Sequence, residues 1–125
     1  MGFIPHKNND GAVAPYEYIT ASAACHVGMA MVLSSGKLAK CAADAVPTYV
    51  CMGEGAANDI VPAIRVDHET IFAVPLSAAG TSLKVGDKVT IASDAMRVTA
   101  TTASGVAEIA AIVGTATGDT VHVRF

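Results

Sequence analysis

The residues able to do chemistry are few and lie far apart. The thiols are Cys25, Cys41 and Cys51, and the imidazoles are His6, His26, His68 and His122. No His-Glu-x-x-His or Cys-x-x-Cys spacing joins them, so a zinc site has no scaffold in the sequence. Cys25 and His26 are adjacent, and neighbours on a strand point to opposite faces, which separates a thiolate from its base. Asp67-His68-Glu69 is the densest ionisable cluster. Three such groups could hold a metal or move a proton, but between two apolar runs they read as a solvated hairpin tip. Ser34-Ser35-Gly36 and Thr99–Ser104 are rich in hydroxyls, yet no phosphate-cradling loop or nucleophile elbow surrounds them. The expectation is a chain without catalytic, metal-binding or cofactor-binding residues, and not an enzyme. A pocket uniting Asp67, His68 and Cys51 would reverse it.

Composition narrows the remaining classes. A chain of 125 residues with 52% apolar content fits one domain with one core. With no Trp and only three Tyr and three Phe, that core is mostly Ala and Val, which suits closely stacked sheets better than a roomy ligand pocket. The net charge is −3 and no two of the eight Lys and Arg are adjacent. Nucleic-acid binding needs clustered cations to displace phosphate counterions, so it is not expected. No apolar stretch approaches the ~20 residues of a membrane span. Met1 to Gly11 lacks the apolar core of a secretion signal. Three widely spaced cysteines make no disulfide framework and fit a reducing compartment, as small buried hydrophobes.

The elements that would position any site are short strands. Met29-Ala-Met31-Val-Leu33 alternates at period two, Ser34-Ser35-Gly36-Lys37 reads as a turn, and Leu38–Ala42 as the returning strand. Further strands are expected over Tyr49–Gly53, Ile60–Val66 and Thr70–Leu76. A hairpin follows around Ser93-Asp94, then Glu108–Gly114 and Thr120–Phe125. Turns at this spacing predict an all-β fold, a small barrel or sandwich. Ala107–Val113 has helical composition but is short and β-branched, and reads as a strand.

Residues 1–20 differ from the rest. Pro5, Pro15, Gly2, Gly11 and the run Lys7-Asn8-Asn9-Asp10 predict an extended N-terminal arm. Its apolar side chains are large: Phe3, Ile4, Tyr16 and Tyr18. With Pro5, these are the residues expected to bind a partner, ahead of a single domain over 21–125.

That domain carries an internal repeat, about 27–66 and 85–125. Val27-Gly28, Met31, Leu33, Ser35 and Leu38 align with Val85-Gly86, Val89, Ile91, Ser93 and Met96. Gly53, Asn58, Ile60, Pro62 and Ile64 align with Gly114, Asp119, Val121, Val123 and Phe125. Two similar strand-rich units paired into one body would protect their sheet edges.

Pro15-Tyr-Glu-Tyr-Ile19 leads into Val27-Gly-Met-Ala-Met-Val-Leu33 and Gly36-Lys-Leu38. Pro47-Thr-Tyr-Val-Cys-Met-Gly53, Leu83, Val85-Gly-Asp-Lys-Val89-Thr-Ile91 and Val121-His-Val-Arg-Phe125 follow. Together these motifs resemble the small β-barrel head-decoration, or cement, proteins of tailed bacteriophages, especially those encoded near the major capsid gene in phages of Gram-positive hosts. The resemblance implies a structural virion protein made in the host cytoplasm. It would bind the outer surface of an assembled capsid and stabilise it, with the major capsid protein as partner and a homotrimer by analogy. Other readings are a head fibre, tail or spike-base module, or a small ligand- or carbohydrate-binding barrel.

Overall fold

The computed structural model describes residues 2–7 and 16–125. Those residues form ten strands and no helix: β1 Ile4–Lys7, β2 Tyr16–Thr20, β3 Ala30–Ser34, β4 Lys37–Lys40, β5 Tyr49–Cys51, β6 Ile60–Arg65, β7 Ile71–Pro75, β8 Lys88–Val89, β9 Ala107–Ile112 and β10 Thr120–Arg124. They assemble into two five-stranded sheets, β2-β6-β5-β3-β4 and β1-β7-β10-β9-β8. All strand pairings are antiparallel. The fold is all-β.

Local chemistry sets each element. In the β3–β4 hairpin Ser34 pairs with Lys37, leaving a two-residue loop in which Ser35 and Gly36 both have positive φ, 52° and 79°. That is the backbone twist that matches two right-twisted strands. In β10, Val121 and Val123 are buried while Thr120, His122 and Arg124 are half-buried, the period-two pattern of a strand with one face on the core. The seven residues of helical composition contribute β9, with Ala107 and Ile109 facing inward. Packing overrides the propensity of alanine there.

Each sheet is bridged back at one corner. Ala21, just past β2, makes a parallel bridge to Leu38 of β4, and Leu76, just past β7, makes one to Val98. The two sheets repeat one hydrogen-bond scheme. Ala21 N donates to Asp59 O as Leu76 N donates to Asp119 O, both at 2.8 Å. Ser22 N donates to Leu38 O as Ser77 N donates to Val98 O, again both at 2.8 Å. The Asp59 carboxylate accepts from Ala56 N at 2.9 Å, and the Asp119 carboxylate from Ala116 N at 3.0 Å. Strand β2 therefore corresponds to β7 and β6 to β10, and their registers agree: Glu17 faces Ala63 where Phe72 faces Val123.

This register corrects the alignment drawn from the sequence. Val61 and Ala63, not Ile60 and Pro62, correspond to Val121 and Val123. Both pairs are buried, whereas Ile60 is exposed. A slip of one residue exchanges the two faces of a strand, and the common turn residues around Asn58-Asp59 and Gly118-Asp119 could not exclude it.

The expected N-terminal arm is also corrected. Its described parts are sheet strands: β1 pairs with β7, and β2 with β6. Phe3 is 0% exposed. Its ring meets Phe72 at 6.3 Å, edge to face, and Phe125 at 5.4 Å. Burying a ring of this size is worth about 1.5–3 kcal/mol, which draws the segment into the core. Pro5 is tolerated because β1 ends its sheet, where a missing N–H costs no ladder bond. Phe3 N donates to Gly28 O at 2.8 Å, so the segment ties the first unit to the second. Gly2 permits that approach: its φ is +95°, and a Cβ would sit 2.6 Å from the Gly28 oxygen. Asn8-Asn9-Asp10, Gly11 and Pro15 lie outside the described residues.

Candidate functional site

The titratable groups serve the fold. Glu54 accepts from Val27 N at 2.8 Å and pairs with His26 Nδ1 at 2.7 Å. The His26 bond, followed by the Val27 bond, holds the Glu54 carboxyl below its ordinary range. Together they pin the loop before β3 to the loop after β5. Cys25 is buried beside exposed His26. Burial, reinforced by neighbouring Cys51, pushes its thiol up to about 12, the opposite of what a nucleophile requires. Cys41 is pushed up to about 11 by burial and then by Asp44.

Asp67 organises the β6–β7 turn through one oxygen, accepting from Glu69 N at 3.0 Å, Thr70 N at 2.9 Å and the Thr70 hydroxyl at 2.9 Å. His68 Nδ1 donates to the Phe125 backbone oxygen at 2.8 Å. A shallow cleft of about 290 Å³ runs between Val46, Pro47, Thr48, Arg65, Val66, Asp67, His68 and Phe125. Cys51 does not line it. That thiol is fully buried and bonded to Gly53 O at 3.0 Å, so the three residues that would have argued for catalysis are not brought together. Among the described residues, no group of three His, Cys, Asp or Glu is placed to hold a metal ion, and no helix is long and apolar enough to cross a membrane.

The residues expected to contact a partner divide between three settings. Phe3 belongs to the core. Ile4 and Pro5 lie on β1, at the edge of the second sheet, Ile4 exposed and Pro5 half-buried. Tyr16 and Tyr18 lie on β2, at the edge of the first sheet, 48% and 70% exposed. Pairing with β6 sets Tyr18 against Pro62 and Thr20 against Ile60, and directly paired residues share a face. Ile60 is 69% exposed. Tyr16, Tyr18, Ile60 and Pro62 thus lie on one face of the sheet, a largely apolar stripe that also holds Thr20 and, opposite Tyr16, the buried Ile64. Ile60 and Pro62 escaped sequence reading because the slipped alignment set them on the buried face. The signal that finds them is Asp59, whose turn fixes where β6 begins.

Beneath the stripe, the inner end of the first sheet is polar. The Tyr49 hydroxyl donates to Glu17 Oε1 at 3.0 Å, and Arg65 donates through an Nη to the Tyr49 oxygen at 2.6 Å. Arg65 Nε lies 3.4 Å from Glu17 Oε2. Burial, and then the bond to Glu17, push the Tyr49 hydroxyl above its ordinary range. This network fixes β2, β5 and β6 to one another on the face opposite Tyr16 and Tyr18.

No family model matches the chain, and no curated protein does. Among solved structures it is similar to the N-terminal base of the head fibre gp8.5 of bacteriophage phi29, with a TM-score of 0.64 and 15% sequence identity. The match covers 89% of this chain and 92% of that one. At that identity the likeness is one of fold.

Proposed function

We propose that this chain is a structural protein of a tailed-phage virion, a compact base that seats on the outer surface of the assembled head. The observation that carries this reading is the fold match to a head-fibre base over nearly the whole of both chains. The residue motifs, which resemble head-decoration proteins, point to the same surface. The committed state of the titratable groups supports a binding role over a catalytic one: Asp67 and Glu54 hold turns, and the Cys25 and Cys41 thiols are held protonated by burial. The partner is the capsid protein, engaged through the apolar stripe of Tyr16, Tyr18, Ile60 and Pro62.

A second reading, a decoration protein that stabilises the shell, shares this attachment and differs in stoichiometry. The test is to add the purified chain to capsids lacking it, sediment the particles and count bound copies. Hundreds of copies per head with raised thermal stability of the shell match decoration, and tens or fewer match a fibre base. Absence of the chain from the capsid fraction at saturating concentration overturns both.

A further inference from the structure

The two sheets have equivalent edges, and among the described residues only one of them is covered by a strand. In the second sheet β1 lies along β7, with Ile4 opposite Ala73 and Lys7 opposite Ile71. The corresponding positions in the first sheet are Tyr18 and Tyr16. Among the described residues, no strand pairs with the outer side of Tyr16–Tyr18, and β4 reaches that side only at the end of β2, through the Ala21–Leu38 bridge.

The main chain there is directed outward. Ala21 N donates toward β6, to Asp59, and Ser22 N donates the other way, to Leu38 of β4. Alternation along the strand then turns the N–H and C=O of Tyr18 and Tyr16 away from β6. The same count in the second sheet, from Leu76 and Ser77, turns Ala73 and Ile71 outward, and these are the residues β1 pairs with.

We propose that β2 is a strand-acceptor edge, which takes an extended segment of the capsid protein antiparallel to Tyr16–Tyr18. The occupancy of the β7 edge by β1 shows that this geometry accepts a strand. The occupant's chemistry follows from what it would meet. Its outward row lies beside Tyr16 and Tyr18 and is apolar, as Ile4 is on β1. Its inward row meets the rim of Glu17 and Arg65, whose side chains are 42% and 61% exposed, and is polar. An aromatic there, like Phe3 just ahead of β1, would leave charged groups unsolvated. Main-chain bonds supply the attachment and the alternating row the selectivity.

This inference rests on the proposed attachment to a capsid, and the test separates the two. Amide hydrogen exchange is measured on the free chain and on the chain bound to capsids. Exchange at Tyr16 and Tyr18 is expected to slow by about ten-fold or more on binding. Tyr18→Pro removes an N–H that the β2–β6 ladder does not use and blocks an incoming strand. It is expected to melt like the parent and to bind capsids at least about ten-fold more weakly. Binding with β2 amides unprotected, or undiminished binding by Tyr18→Pro, overturns the edge and leaves the attachment standing. Failure of the parent chain to bind overturns the attachment and this inference with it. A dimer of the free chain with its β2 amides protected assigns the edge to a second copy and overturns the capsid strand. Should Tyr18→Pro fail to fold, the exchange pattern of the parent decides alone.

Discussion

The first and second sheets share a backbone plan and differ in what closes their inner ends. Where the first sheet has Glu17, the second has Phe72 in the same register. One residue beyond Ile64 the first has Arg65, and one beyond Arg124 the second has Phe125. The first end is a hydrogen-bonded set with Tyr49 at its centre. The second is an aromatic cluster completed by Phe3, from outside the repeat. An apolar socket gains by recruiting a further ring, whereas a rim of paired charges gains nothing from one. The same plan thus yields a sheet that covers its own edge with β1 and a sheet whose Tyr16–Tyr18 edge no strand covers among the described residues.

The comparison breaks most visibly at Phe3. Replacing it with Ala empties a fully enclosed site between Phe72 and Phe125, and is expected to cost about 3–5 kcal/mol. A chemical denaturation midpoint measures it. A loss below about 1 kcal/mol would mean that the β1 segment is not what holds the second end together.

High pH tests the opposite end. All three tyrosines and all three cysteines fall between residues 16 and 51, on the first sheet and its loops. Cys25 is raised from 9.0 to about 12 and Cys41 from 9.0 to about 11, and Tyr49 is raised above 10.0. Each group holds its proton more tightly folded than unfolded. The stability this contributes is whole below the unfolded pKa and is lost as pH climbs through the folded one. The denaturation midpoint is therefore expected to hold level to about pH 8 and to fall between about pH 9 and 11. Replacing Cys25 and Cys41 with Ala and Tyr49 with Phe should flatten the fall. A parent midpoint that stays level throughout would remove the distinction between the two ends.

Much of this plan was legible in the residues, because strands announce themselves by alternation and turns by their chemistry. Met29 to Leu38 reads directly as a hairpin, and the structure supplies its two-residue loop at Ser35-Gly36. Register was not legible. Asn58-Asp59 and Gly118-Asp119 offer two alignments that differ by one residue, and only hydrogen bonds choose between them. The fate of Phe3 was hidden for another reason. Pro, Gly and Asn around a large ring look the same whether the ring grips a neighbour or its own core. The socket that decides, Phe72 with Phe125, is assembled from residues far along the chain.

The smallest effect tests the repeat itself. Asp59 and Asp119 each accept from the amide three residues back, at 2.9 and 3.0 Å, and each offers its backbone oxygen to the residue that follows the first strand of its unit. Replacing either with Ala removes one exposed charge-assisted bond and leaves the backbone bond in place. Each is expected to cost about 1 kcal/mol. The two costs should agree within about 0.5 kcal/mol, and they should add in the double variant, because sites in separate units share no partner. Unequal costs would show that the two turns carry different loads despite their matching geometry. The Asp59 turn sets the start of β6 and so places Ile60 and Pro62 in the exposed stripe. A cost concentrated there would show that the placement of that stripe depends on this one turn.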